Sequence, residues 1–220
     1  MMKKTFGVIG LGRFGLSVAI NIEKRGFPVL GIDNNREIIE RVKDRLTHVV
    51  QADASDPQAL EDAGIKNCDT VIIAIGDNKE QSILATMLVK DFGIKYVVSK
   101  AVDELHGRIL EKIGADLVVF PEKERGETLA IQLTSTSLID YIEISPEYDL
   151  EEAIIPQRFV GKTIRDLDLG RKYKVIILAI RRNSDIIIAP SSEERFQAGD
   201  IIVFVGRTKD ISKFTEDFLE

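Results

Sequence analysis

Short apolar runs recur along the first half of the chain and alternate with stretches whose apolar positions fall three and four residues apart. The runs read as strands at Phe6–Ile9, Val29–Asp33, His48–Gln51, Thr70–Ile75, Tyr96–Ser99 and Leu117–Phe120. Unbroken apolar runs suit strands buried on both faces. The segments between them read as amphipathic helices. Phe14, Val18 and Ile22 stripe the first, and Ile38, Ile39, Val42 and Leu46 the second. Ile83, Leu84, Met87 and Leu88 stripe the fourth, and Leu105, Ile109, Leu110 and Ile113 the fifth. Asp56-Pro57 opens the third helix as cap and first residue, while Gly64, Gly93 and Gly114 stop the third, fourth and fifth. Pro121 opens a sixth helix carrying Leu129, Ala130 and Leu133. Strand and helix in strict alternation predict a parallel sheet covered on both faces: an α/β, doubly wound Rossmann domain over residues 1–135.

The pattern changes at Thr134-Ser135-Thr136-Ser137, poor helix formers that predict a linker at about 134–138. Beyond it the strands are shorter and closer, at Leu138–Ile144, Glu152–Ile155, Val175–Arg181, Asp185–Ala189 and Ile201–Val205. Asn183-Ser184 reads as a hairpin turn. A helix is expected over Thr163–Arg171 and another over Lys209–Leu219, giving a small α+β domain over 136–220. Domains of that size are marginal alone. This one is rich in isoleucine, so burial against a second copy is expected.

The first strand breaks into Gly10-Leu11-Gly12-Arg13-Phe14-Gly15 and then into a helix, the context that a Gly-x-Gly-x-x-Gly fingerprint requires. Gly10 permits the tight turn, Gly12 lets a phosphate approach the backbone, and Gly15 lets helix and strand pack closely. A phosphate would sit on the helix N-terminus. The second strand ends in Asp33, about 20 residues on, where a carboxylate accepts from ribose hydroxyls and repels a 2′-phosphate. An adenine nucleotide site follows, of the NAD or ATP/ADP kind rather than NADP. Arg13 stands where dinucleotide enzymes carry small or apolar residues. Its guanidinium either snorkels to solvent or contacts phosphate, and a cation at a helix N-terminus favours the second because it needs an anion.

Further candidates follow later strands. Asp53 is a ligand for the adenine amino group or a loop carboxylate. Ala74-Ile75-Gly76 lets a base or ribose lie against backbone, or simply ends a strand. Lys100 and Glu122 stand at the carboxyl edge of the sheet, where open α/β sheets bind ligands, or are solvated loop charges. A functional Glu122 near polyphosphate implies a divalent cation between them.

Composition narrows the function. Of 220 residues 44% are hydrophobic and 30% charged, with net charge −6, which suits a packed globular chain. Residues 138–220 hold 12 Lys/Arg and 16 Asp/Glu, leaving 18 and 20 for residues 1–137, so neither half is a basic nucleic-acid binder. One cysteine, Cys68, excludes an internal disulfide and fits a reducing compartment. Met-Met-Lys-Lys leads into a short strand rather than a signal-peptide core, and no apolar run approaches the ~20 residues of a membrane span. A soluble cytoplasmic protein is expected. A dehydrogenase would need an acid/base beside its nicotinamide. The two histidines do not offer one: His48 lies in a strand as a satisfied structural residue, and His106 is expected on a helix surface. Cys68 reads as a packing residue. A nicotinamide-dependent oxidoreductase or redox sensor is thus the alternative reading, not the first.

Gly10 to Gly15 with Arg13, then Asp33, Asp53, Ile109-Leu-Glu-Lys-Ile-Gly-Ala-Asp116 and Pro121-Glu122, together resemble the RCK (KTN) family. Its members are cytoplasmic regulatory subunits of Ktr/Trk potassium-uptake systems. The resemblance covers the whole chain and implies a Rossmann domain joined to a small RCK C-terminal domain. It implies no enzyme activity but a homo-oligomer, dimers assembling into an octameric ring, docked on a membrane-embedded potassium-translocating subunit at the inner face of the cell membrane. ATP or ADP, and in some members NAD or NADH, would bind the fingerprint and switch the ring. Arg13 would contact terminal phosphates, Asp33 and Asn35 ribose, Asp53 adenine and Lys100 phosphate. Phe14, Asn34 and Ala54 complete the contacts, and Glu122 would ligand Mg or Ca near the γ-phosphate. Cyclic di-AMP would bind the C-terminal domain near Ile164, Arg171, Tyr173, Ile176 and Pro190.

Overall fold

In the computed structural model, which describes residues 3–134 and 138–219, the six early apolar runs form β1 (Phe6–Ile9), β2 (Val29–Asp33), β3 (His48–Gln51), β4 (Thr70–Ile73), β5 (Tyr96–Lys100) and β6 (Leu117–Val119). All pair in parallel in the order β3-β2-β1-β4-β5-β6. That is the Rossmann order, and it opens a crevice where β1 and β4 diverge at their carboxyl ends. The helices between are α1 (Arg13–Lys24), α2 (Arg36–Val42), α3 (Pro57–Asp62), α4 (Lys79–Asp91) and α5 (Glu104–Lys112), with α6 (Pro121–Thr134) after β6. Alternate strand residues feed opposite faces. Val8 and Ile72 pack with Ala19 of α1 and Val42 of α2, whereas Ile9, Val71 and Ile73 pack with Leu60 of α3 and Ala85 and Val89 of α4.

Several expected stripes turn out not to be the buried face. The side of α4 laid on the sheet is Ser82, Ala85, Thr86 and Val89, and Leu84 and Met87 remain 42% and 40% exposed. Small residues let the helix approach, and the Thr86 hydroxyl is paired, 2.8 Å from the Ser82 carbonyl and 3.0 Å from the Ser99 hydroxyl, whereas the buried Ser82 hydroxyl has no partner among the described residues. On α5 the order is reversed at two neighbours: Leu105 is 67% exposed, and His106, expected at the surface, is 2% exposed. His106 Nδ1 accepts from the Val102 N–H at 3.4 Å, and burial pushes the imidazole pKa down. His48, expected to be a satisfied structural residue in a strand, is exposed on β3, the edge strand of the sheet. Leu129 and Leu133 of α6 are exposed as well. Leu46 is buried as expected, but beyond the end of α2.

Residues 1–124 and 125–220 form two compact units, the division falling within α6. Ser135, Thr136 and Ser137, where the linker is expected, lie outside the described residues. The second unit holds β7 (Leu138–Ser145), β8 (Tyr148–Ile154), β9 (Ile176–Arg182), β10 (Asp185–Ile188) and β11 (Ile201–Arg207), antiparallel in the order β10-β9-β11-β8-β7. Asn183, with φ +55°, turns the expected hairpin. Strand β8 begins at Tyr148 rather than Glu152, because two acids sit among its core-facing positions. Asp149 and Glu151 are both buried, and burial followed by the Asp149 charge pushes the Glu151 carboxyl up to about 7. The single helix expected over Thr163–Arg171 is two, α7 (Ile164–Leu167) and α8 (Leu169–Tyr173), broken where Asp168 turns left-handed at φ +46°. The terminal helix α9 (Thr208–Phe214) widens into a π turn over Thr215–Leu219.

The core of this unit is Ile180, Phe196, Ile202, Phe204 and Phe214. Beside it Arg182 makes a two-pronged clamp on Asp200, Nε to Oδ1 at 2.9 Å and an amino nitrogen to Oδ2 at 2.8 Å, and reaches Glu194 at 3.0 Å. Burial pushes the Asp200 carboxyl up, but Arg182 and the Gln197 amide together hold it below its usual range. Ile142, Ile144, Ile176, Ile186 and Ile188 are exposed on the strands.

Candidate nucleotide site

The crevice is built from the glycine turn outward. Gly10, at φ +91°, ends β1 and donates its N–H to the Ile32 carbonyl at 2.8 Å. That conformation is one side-chain-bearing residues rarely adopt. Gly12 is the N-cap of α1, with φ −65° and ψ −170°, and has no side chain to cap the amides that follow. A Cβ at Gly12 would meet no protein atom within 4 Å. The space over this turn is therefore not needed by the fold, and the amides of the first turn face it. Gly15 is the opposite case: a Cβ there would lie 1.9 Å from the Gly10 carbonyl oxygen. The first turn of α1 carries no acid and begins with the exposed cation Arg13, which opposes the helix dipole unless an anion stands between them.

Asp33 does more than sequence reasoning assigned to it. Its carboxylate, 9% exposed, accepts the Leu11 N–H at 2.7 Å and the Asn35 N–H at 2.9 Å. It thereby ties the end of β2 to the middle of the glycine turn, with lone pairs left for ribose hydroxyls. Asn35 caps α2, its Oδ1 taking the Glu37 N–H at 2.8 Å, so what it can offer a ribose is its amide N–H.

A cavity of about 330 Å³ opens between these elements. It is lined by nine of the residues expected from the sequence: Gly10, Gly12, Asp33, Asn34, Asn35, Ala54, Ala74, Ile75 and Gly76. Ile9, Ile38, Ala52, Asp77, Asn78 and Gln81 also line it, and none of these was expected. Asn78 was within reach of the sequence, as an N-cap just after Gly76. Gln81 was not, because its relevance depends on a contact with Asp53 across the crevice.

Two groups of expected residues stand outside this lining. At one edge Lys100 Nζ is 2.5 Å from Glu122 Oε1 and 5.9 Å from the centre of the Phe14 ring. Lys100, through its hydrogen bond and charge, and more weakly Arg13 through its charge, hold the Glu122 carboxyl below its usual range. A Cβ on Gly76 would stand 3.1 Å from Lys100 Nζ, so this edge adjoins the cavity. At the end of β3, Asp53 Oδ1 accepts the Ser55 hydroxyl at 2.6 Å, the Ser55 N–H at 2.9 Å and Gln81 Nε2 at 3.1 Å. The Ser55 donors lead in keeping this carboxyl below its usual range.

Among the described residues no group of three or more His, Cys, Asp or Glu could hold a metal ion. Glu122 pairs with the Lys100 cation and belongs to no such group among the described residues, so it fits a divalent ion only together with oxygens of a bound phosphate. Cys68 is buried and its thiol is pushed up to about 11 by burial, far from nucleophilic. In the second unit Ile164 and Tyr173 lean on the core, whereas Arg171 and Ile176 are exposed.

Residues 6–121 match the TrkA-N domain and residues 150–219 the TrkA-C domain. The chain belongs to the TrkA-type RCK family. This RCK chain is 37% identical over 218 residues, 99% of each chain, to Ktr system potassium uptake protein C of Bacillus subtilis. It is 38% identical over 214 residues, 97% of this chain and 96% of the other, to Ktr system potassium uptake protein A of the same organism. Among solved structures, the GsuK channel bound to NAD aligns with a TM-score of 0.54 at 23% identity, over 100% of the RCK chain and 39% of the channel chain. GsuK bound to ADP aligns with a TM-score of 0.52 at 25% identity, over 60% of the RCK chain and 34% of the channel chain. Among the described residues, no helix of the RCK chain is long and apolar enough to cross a membrane.

Proposed function

We propose that this RCK chain is a non-enzymatic, nucleotide-sensing regulatory subunit that gates a membrane-embedded potassium-translocating partner from the cytoplasmic side. The observation that carries the reading is the cation at the wrong end of a helix: Arg13 opens α1 above an open glycine turn, with Lys100 and Glu122 charged nearby. The potassium-uptake relatives and the ADP-bound GsuK structure support both halves of it. ATP and ADP differ by one phosphate, and a ligand shifts a two-state assembly only through differential affinity. Arg13 and Lys100 supply that difference. Glu122 would exchange Lys100 for Mg or Ca when polyphosphate brings the ion in. Exposed Leu84, Met87 and Leu105 of the first unit, and the exposed isoleucines of the second, favour self-assembly into dimers and then a ring. Arg171 and Ile176 would meet cyclic di-AMP where two second units pair.

Equilibrium binding of ATP, ADP and NADH to the wild-type chain and to Arg13→Ala tests this. The expected result is an ATP-to-ADP affinity ratio that differs from one in the wild type, with NADH weaker than either, and that falls by at least about fivefold in the variant. Equal ATP and ADP affinities in both proteins, or a clear preference for NADH, would overturn it.

A further inference from the structure

Gln81 lies in the first turn of α4 and lines the cavity, and its side chain reaches across the crevice to the end of β3. Its Nε2 donates to Asp53 Oδ1 at 3.1 Å, an oxygen that also takes both Ser55 donors. A carboxylate can only accept, so this contact fixes which way the amide faces: nitrogen toward Asp53, oxygen away from it. Rotating the amide would set two acceptor oxygens against each other. Because Gln81 lines the cavity, its Oε1 is the side-chain acceptor left for a ligand there, and Asp53 beside it keeps Oδ2 clear of the three donors that Oδ1 takes.

From this we infer that Gln81, oriented by Asp53, is a base-selecting residue that admits a nucleobase presenting an exocyclic amino group and rejects one presenting a carbonyl at the same place. Adenine offers two N–H donors on its 6-amino group. Hypoxanthine and guanine place an oxygen at position 6, which would meet a carboxylate and a locked amide oxygen. Setting an oxygen against these acceptors costs affinity relative to pairing them with a donor, and because Asp53 is exposed and Gln81 half-buried, water limits that cost. The inference rests on the nucleotide reading of the cavity and adds the residue that reads the base. It also assigns Asp53 two tasks, a direct acceptor and the lock that keeps Gln81 acceptor-outward.

The test compares ADP with IDP, which carries a 6-oxo group and a protonated N1 where ADP has a 6-amino group and an acceptor N1, by calorimetric binding to the full chain. The wild type is expected to favour ADP by at least about tenfold. In Gln81→Ala that preference should shrink severalfold. In Asp53→Asn the lock is gone, because an asparagine can face Gln81 with either oxygen or nitrogen, and IDP should gain affinity relative to ADP. Thermal unfolding of each variant checks that both remain folded. A wild type that binds ADP, with an ADP-to-IDP ratio unchanged in both variants, would overturn the assignment of Gln81 and leave the nucleotide site standing. A wild type that binds neither nucleotide would overturn the nucleotide site itself, and this inference with it.

Discussion

Gly15→Ala is expected to abolish nucleotide binding and to destabilise the first unit together, whereas Gly12→Ala should weaken binding alone. The reason is where each new methyl group goes. At Gly15 it would stand 1.9 Å from the Gly10 carbonyl oxygen and 2.9 Å from the Ala74 Cβ, so α1 must lift off the ends of β1 and β4. Overpacking a rigid backbone contact costs typically about 1–3 kcal/mol and sometimes more, and the displaced turn can no longer present its amides. At Gly12 the methyl group meets no protein atom and φ is −65°, so the fold accommodates it. It would stand instead in the space assigned to phosphate. Urea unfolding and ADP calorimetry on the two variants separate the effects. Tight ADP binding by Gly12→Ala would show that the phosphate does not lie over the turn.

Arg182→Ala is expected to cost the second unit about 3–5 kcal/mol, the range for removing one partner of a buried ion pair. Asp200 is fully buried and receives Arg182 through both of its oxygens. Truncating the arginine strands that carboxylate and also frees Glu194 and the Arg195 carbonyl. The double variant Arg182→Met, Asp200→Leu should recover much of the loss, because neither partner then leaves an unpaired charge at that position. Chemical denaturation of both proteins at neutral pH reads the difference. An Arg182→Ala protein within about 1 kcal/mol of wild type would show that the clamp contributes no more than a surface pair.

The legible parts of this fold were those written locally. The glycine turn, the Asp56-Pro57 cap and the Asn183-Ser184 hairpin each depend on a few adjacent residues, and each is where its signal lies. The six parallel strands were legible because unbroken apolar runs leave little choice of face. On α4 the choice was real. Leu84 and Met87 have the stronger apolar signal, yet Ser82, Ala85 and Thr86 lie on the sheet, since the sheet offers a hydroxyl partner in Ser99 and room only for small side chains. Apolar periodicity cannot tell a face meant for the chain's own core from one left at its surface. Strand β8 was cut short by the opposite confusion, because Asp149 and Glu151 carry charge into a buried face. Of the residues expected after strand ends, Asp33, Ala54, Ala74 and Gly76 line the cavity, and Gln81 is not legible because its partner is 28 positions away. Asp33 is expected from the sequence as a ribose ligand, while its grip on the Leu11 amide depends on how β2 lies beside the turn.

We propose that the chain reads the phosphate tail of an adenine nucleotide and converts that reading into control of potassium movement. Potassium flux into proteoliposomes carrying the membrane partner and this chain, at saturating ATP and then at saturating ADP, tests it most directly. The flux should differ by at least about fivefold between the two nucleotides, and Arg13→Ala should erase the difference while leaving the complex assembled. Identical flux with ATP, with ADP and with no nucleotide, from a wild-type complex that is intact and has bound them, would contradict it.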